Sequence, residues 1–175
     1  MATSAFRALS QKEKRTVGNI VSTSKYVKDV ANGALFTEDV ENFHLVEIEY
    51  DADGVLVAKA LTDVTKKAYL VAAPERRYLG ENIGEFFVGE GERARILYTT
   101  EGLIFDASAY ELDGTVTEIK AGQKAHYNVA TKKYLIHDGS HADFANASVQ
   151  LTVKSSEDNL EYTLGQPMVR FVIEQ

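Results

Sequence analysis

A chain of 175 residues, 45% hydrophobic and 26% charged, has the material for one domain, or a small domain with an appended arm, and for a core that needs no staples. It has no cysteine, which excludes disulfides, thiolate chemistry and Cys-ligated zinc or iron–sulfur centres. The net charge of −7 is uneven: residues 1–30 carry six basic and two acidic side chains, giving +4, and the other 145 carry 13 basic and 24 acidic, giving −11.

A basic head on an acidic body predicts contact with something negative. Arg7, Lys12, Lys14, Arg15, Lys25 and Lys28 are therefore the candidate partner-binding residues. Nucleic acid is disfavoured, because phosphate-tracking proteins place their basic patch on the folded body, and this body is acidic. No apolar run approaches the roughly 20 residues of a membrane helix, and MATSAFRALSQKEKR lacks the apolar stretch of a secretory signal. A soluble protein made in a cytoplasm, with no membrane partner, is expected.

In chain order, residues 1–34 are poor in large apolar groups and read as an extended basic arm that becomes ordered on a partner. Thr16–Val21 offers one short strand, and Ser22-Thr23-Ser24 offers a cap for a helical turn at Tyr26–Val30. Residues 35–175 read as a β-rich body. His44–Tyr50 alternates apolar with acidic residues, as a half-buried strand does, and Asp51-Ala52-Asp53-Gly54 turns it into Val55–Ala58.

The stretch Tyr69–Phe105 holds the densest apolar and aromatic content and is where the core is expected to begin. Ala68–Ala73 reads as a strand closed by Pro74. Glu81–Phe87 reads as a short helix stopped by Gly89 and Gly91. Arg93–Tyr98 and Leu103–Phe105, joined by Thr99-Thr100-Glu101-Gly102, read as a hairpin.

Further on, Asp113-Gly114 is expected to turn Ala107–Leu112 into a strand at Thr115–Lys120. Strands are also expected at Lys124–Asn128, Tyr134–His137, Val149–Val153 and Met168–Ile173. Turn signals every 8–12 residues or so predict a mostly β fold, an antiparallel β-sandwich or barrel with one or two short helices and the N-terminal arm.

Chemistry is sparse. Asp51-Ala52-Asp53-Gly54 resembles the start of a calcium loop, but Leu56 and Thr62 stand where an EF-hand needs glycine and a bidentate glutamate. His137 and His141 lie four apart across an Asp138-Gly139 turn with no third ligand evident. Glu75-Arg76-Arg77 and Arg93-x-Arg95 fit solvated or intersubunit ion pairs. No Walker loop, nucleophile elbow, dinucleotide fingerprint or His-Glu-x-x-His is present. No catalytic residue, cofactor site or metal site is assigned, and no enzyme activity is expected.

Thr65-Lys66-Lys67-Ala68-Tyr69-Leu70-Val71-Ala72-Ala73-Pro74-Glu75-Arg76-Arg77-Tyr78, Gly91–Ile96, Val116–Gln123 and Lys132–Ile136 together resemble the small structural proteins of tailed-bacteriophage virions. The likeness is to the decoration, or cement, proteins bound outside the head. It implies a non-enzymatic β-rich module in the virion that contacts the major capsid protein, oligomerises with itself, often as trimers, and braces the shell. The long basic arm departs from the short-armed members of that group. A tail or connector component is the alternative, and a ligand-binding or carbohydrate-active β-sandwich a second one. The lack of tryptophan weighs against sugar binding.

Overall fold

The computed structural model describes residues 15–74, 83–163 and 165–174. In chain order the strands are β1 (Gly18–Ile20), β2 (Ala34–Phe36), β3 (Val40–Glu41), β4 (Leu45–Tyr50), β5 (Leu56–Ala60), β6 (Tyr69–Val71), β7 (Phe87–Val88) and β8 (Arg93–Ala94). They continue as β9 (Ile96–Tyr98), β10 (Ile104–Ala107), β11 (Tyr110–Leu112), β12 (Lys124–Asn128), β13 (Lys133–His137), β14 (Gln150–Val153), β15 (Glu161–Thr163) and β16 (Gln166–Ile173). The helical content among these residues is three single 3-10 turns, at Ile83–Glu85, Phe144–Asn146 and Glu157–Asn159.

Two sheets curl back on themselves. One runs β1-β10-β16-β14-β12-β13-β11, with β15 on the outer part of β16. Its β10 and β11 are halves of one segment broken only at Ser108 and Ala109, and Tyr134 N–H donates to the Ala109 carbonyl at that break (2.9 Å). The sheet is therefore a nearly closed barrel. The other runs β8-β2-β5-β4-β6-β9, and its ends β8 and β9 are likewise one segment broken at Arg95. A β3–β7 ribbon forms the third, smallest sheet.

The mostly β, barrel-like architecture is the one expected, with two parallel ladders, β2–β5 and β11–β13, among antiparallel ones. The hairpins β4–β5 and β12–β13 form as read, with Gly54 at φ +77° in the first turn and Lys132 at φ +57° in the second. Four expectations fail in whole or in part. The segments Arg93–Tyr98 and Leu103–Phe105 do not pair as a hairpin. Gly102 does make its turn at φ +85°, but β9 then pairs with β6 while β10 pairs with β1 and β16. Thr115–Lys120 is turn and bend, and Tyr26–Val30 contributes one bridge, Asp29 to Leu97, where a helical turn was expected. The helix expected at Glu81–Phe87 reduces, within the described residues, to the Ile83–Glu85 turn followed by β7.

Two apolar cores lie on either side of one wall. Leu45, Leu70 and Leu97 point into the larger core with Phe105, Tyr134 and Phe171. Their neighbours Val46, Val71 and Ile96 point into the smaller core with Phe36 and Val88. A strand sends successive side chains to opposite faces, so β4, β6 and β9 are apolar on both because both are buried. The expectation that β4 is half-buried holds only for its far end, since Leu45, Val46 and Glu47 are all buried and Glu49 and Tyr50 are exposed.

The described part of the expected arm is built into this body. Val17 is fully buried, β1 pairs with β10 in register Gly18 to Ala107, and Val30 and Ala34 belong to the smaller core. A boundary at residue 34 is therefore not found, and residues 15–34 do not wait for a partner to order them. Close packing fixes them: a Cβ on Gly18 would collide with the Asp106 carbonyl and the Phe43 ring. Phe43 itself sits at φ +60°, held by its N–H on the Val71 carbonyl (2.9 Å) and by the Tyr134 hydroxyl donating to its own carbonyl (2.7 Å).

Leu70 is fully buried in the shared wall. Leu70→Ala is expected to lower the unfolding free energy by about 2–5 kcal/mol. Because the wall serves both cores, urea unfolding followed by tyrosine fluorescence and by far-UV circular dichroism should shift as one transition.

Candidate functional site

One polar cluster joins the segment before β1 to the ribbon strand β3. Glu41, on β3, accepts from the Thr16 N–H (2.8 Å) and the Thr16 hydroxyl (2.6 Å) through Oε2, and from Arg15 Nη1 (3.1 Å) through Oε1. The Arg15 guanidinium also lies over the Phe87 ring, 4.9 Å from its centroid. The backbone is fastened as well: Arg15 N–H donates to the Gly84 carbonyl (3.0 Å), and Gln166 Nε2 donates to the Arg15 carbonyl (3.2 Å).

His44 completes the cluster, with Nε2 2.9 Å from Thr16 Oγ1 and 3.9 Å from Glu41 Oε2. A threonine hydroxyl has one proton, and here it goes to the carboxylate, so His44 Nε2 carries the proton of the next link and donates it to Thr16. In a nucleophilic triad the hydroxyl donates to the imidazole. The order is reversed in this cluster, and what it does is fasten Thr16.

Burial pulls His44 down to about 4; the Glu41 carboxylate opposes the shift and Lys132 adds to it. The ring is therefore neutral near pH 7. Burial alone would raise Glu41, but the hydrogen bonds from Thr16 and Arg15 outweigh it and hold the carboxyl below its ordinary value. Beside the cluster lies a cavity of about 130 Å³ lined by Arg15, Glu41, His44, Tyr127 and Lys132 among others. That is room for a few waters or a small anion.

The six basic residues singled out from the sequence are not brought together as a described patch. Arg7, Lys12 and Lys14 lie outside the described residues. Arg15 is spent on Glu41. Lys25 and Lys28 are exposed, Lys25 with its Nζ 5.3 Å from the Tyr26 ring centroid. Arg93 and Arg95 are exposed as expected, Arg95 pairing with Asp29, while Glu75-Arg76-Arg77 falls outside the described residues. Asp51 makes a turn: its Oδ1 accepts from the N–H groups of Asp53 (2.9 Å) and Val55 (2.8 Å).

Two charge networks had no sequence signal. Asp106, 2% exposed at its side chain, takes a two-pronged contact from Arg170 (2.8 and 3.1 Å), because the β10–β16 register sets the two directly opposite. Glu47, buried on β4, is met by Lys59 (3.4 Å) and Lys66 (3.1 Å). The Asp106–Arg170 and Glu47–Lys59 contacts follow from strand register, and Lys66 reaches Glu47 from the turn before β6.

His44 generates a pH dependence whose sign follows from linkage. Its folded value, about 4, lies below the ordinary 6.5. Its contribution is complete above pH 6.5 and is lost as the pH falls towards 4, because only the unfolded chain takes up the proton there. The full loss is about 3 kcal/mol. His126, also pulled down to about 4, and His137, lowered, act over the same window. The test is therefore a difference: urea unfolding between pH 7 and 4.5 should show a shallower pH slope in His44→Gln than in the unaltered chain.

Residues 11–174 match the family described as YonC prophage protein. A Bacillus subtilis (strain 168) protein, described as SPbeta prophage-derived uncharacterized protein YonC, is 45% identical over 177 aligned positions, covering 99% of this chain and 98% of that one. The phage origin suggested by the sequence resemblance is thereby supported at the level of the family. This chain belongs to the YonC family of prophage proteins.

Proposed function

We propose that the protein is a non-enzymatic structural component of a phage particle that binds the major capsid protein and further copies of itself and stabilises the head shell as a decoration protein. Its working location is then the virion, after synthesis in the host cytoplasm. The prophage family supplies the phage setting. The observation that carries the reading is the division of charge at Arg15. Beyond this fastened residue, residues 1–14 hold Arg7, Lys12 and Lys14 against Glu13, while residues 31–175 carry −11. A cationic leader leaving an acidic body is suited to dock on a negative shell surface and to keep the bodies from clumping elsewhere.

On this reading the docking residues are those not already used by the fold. Since residues 15–34 are built into the body, the contact falls to Arg7, Lys12 and Lys14, helped by the exposed Lys25 and Lys28. The two curled sheets and their shared wall supply a stiff body, which is what bracing a lattice requires.

A chain lacking residues 2–14 should keep its circular dichroism and melting temperature but lose co-sedimentation with particles from an induced lysogen at low salt. Co-sedimentation undiminished by the deletion would refute the docking role. Immunogold label on tails in place of heads would select the tail-component reading.

A further inference from the structure

The hairpin β12–β13 assembles a histidine cluster on the outer face of the larger barrel. Ala125, Tyr127, Tyr134 and Ile136 fill the interior, so the alternate residues His126 and His137 share the opposite face. The register, His126 to Leu135, puts the two imidazoles diagonally adjacent, with His126 Nδ1 3.1 Å from His137 Nε2. The loop after β13 then folds back: the His141 ring centroid lies 4.6 Å from that of His126, and the Phe144 ring meets His137 edge-on at 4.9 Å. His126 and His137 are buried, His141 half-buried and Asp143 exposed.

We infer that His126, His141 and Asp143 form a binding site for a divalent first-row transition ion such as zinc, with His137 as the supporting residue behind His126. One ligand atom from each of the three residues lies within 4.8 Å of the others. Tetrahedral zinc spaces its ligand atoms about 3.4 Å apart, given metal–nitrogen and metal–oxygen distances near 2.1 Å. Closing the gap asks little, because His141 and Asp143 sit on a loop and the Asp143 side chain is 65% exposed. Two imidazoles and one carboxylate suit a borderline ion better than calcium or magnesium, and three protein ligands leave a fourth position open to water or to a group from a partner.

A hydrogen-bonding partner for His126 is already in place. Gly139 N–H donates to His137 Nδ1 (2.9 Å), so the His137 proton sits on Nε2 and is donated to His126 Nδ1. The remaining nitrogen, His126 Nε2, faces the ligand role. Coordination at Nε2 would use the other tautomer of the pair, in which His126 Nδ1 donates to His137 Nε2 and His137 carries its own proton on Nδ1 in place of the bond from the Gly139 N–H. The proton count is unchanged, and His126 then donates its second N–H to a partner, as metal-bound histidines generally do. The ion would tie residues 138–143 to β12. The inference does not depend on the capsid reading.

The full chain, stripped with EDTA and desalted, is titrated with zinc by calorimetry and with cobalt(II) by visible absorption. One saturable equivalent is expected, with the ligand-field bands of a nitrogen- and oxygen-bound cobalt ion and a rise in melting temperature that EDTA reverses. His141→Ala and Asp143→Ala lie on the loop and should leave the fold intact while weakening zinc at least tenfold, and His44→Gln should bind as the unaltered chain does. Absence of saturable binding up to millimolar zinc, or binding that both loop variants retain at full strength, overturns the assignment.

Discussion

Burial of three strands on both faces is the constraint on which the molecule depends. β4, β6 and β9 cannot satisfy their apolar side chains in either core alone, because Leu45, Leu70 and Leu97 face one and Val46, Val71 and Ile96 the other. Each core therefore needs the other to complete its wall, and the molecule behaves as one unit although it has two centres of packing. The same wall explains why the run Ala68–Ala73 is apolar throughout where a one-sided strand would alternate. Residues 15–34 add to the packing, with Val17 buried and Val30 and Ala34 in the smaller core.

What could be read from the sequence was whatever depends on neighbours in the chain. The Asp-Gly turn after β4 and the short connection after β12 specify their hairpins locally, and the recurrence of short apolar runs specifies a mostly β fold. Pairing between distant segments left no such trace. Gly102 makes a turn with positive φ, as it would in a hairpin, yet the strands on either side part, β9 to β6 and β10 to β1 and β16. Thr115–Lys120 has the β-branched alternation of a strand but joins neither sheet, and only Ile119 is buried from it.

The polar clusters follow the same rule. His137 and His141 were visible as a pair, while the third imidazole sits on the preceding strand at a distance fixed by register alone. Arg15 carried the same sequence signal as the other basic residues of the N-terminal thirty, but Glu41 and Phe87 take it out of that set. Charge counted along a chain cannot tell a residue that meets a partner from one that meets its own fold. Here Arg15 is one that meets its own fold, since it pairs with Glu41.

The order of strands in the larger barrel has a consequence for synthesis. β16, made last, lies between β10 and β14, and β1, made first, reaches the sheet only through β10. Until β16 is made, β10 and the β1 strand paired to it have no connection through the sheet to β14. The larger barrel is therefore joined across its width by pairings between strands far apart in sequence, and a chain cut before β16 would leave β10 and β14 each with an unpaired edge.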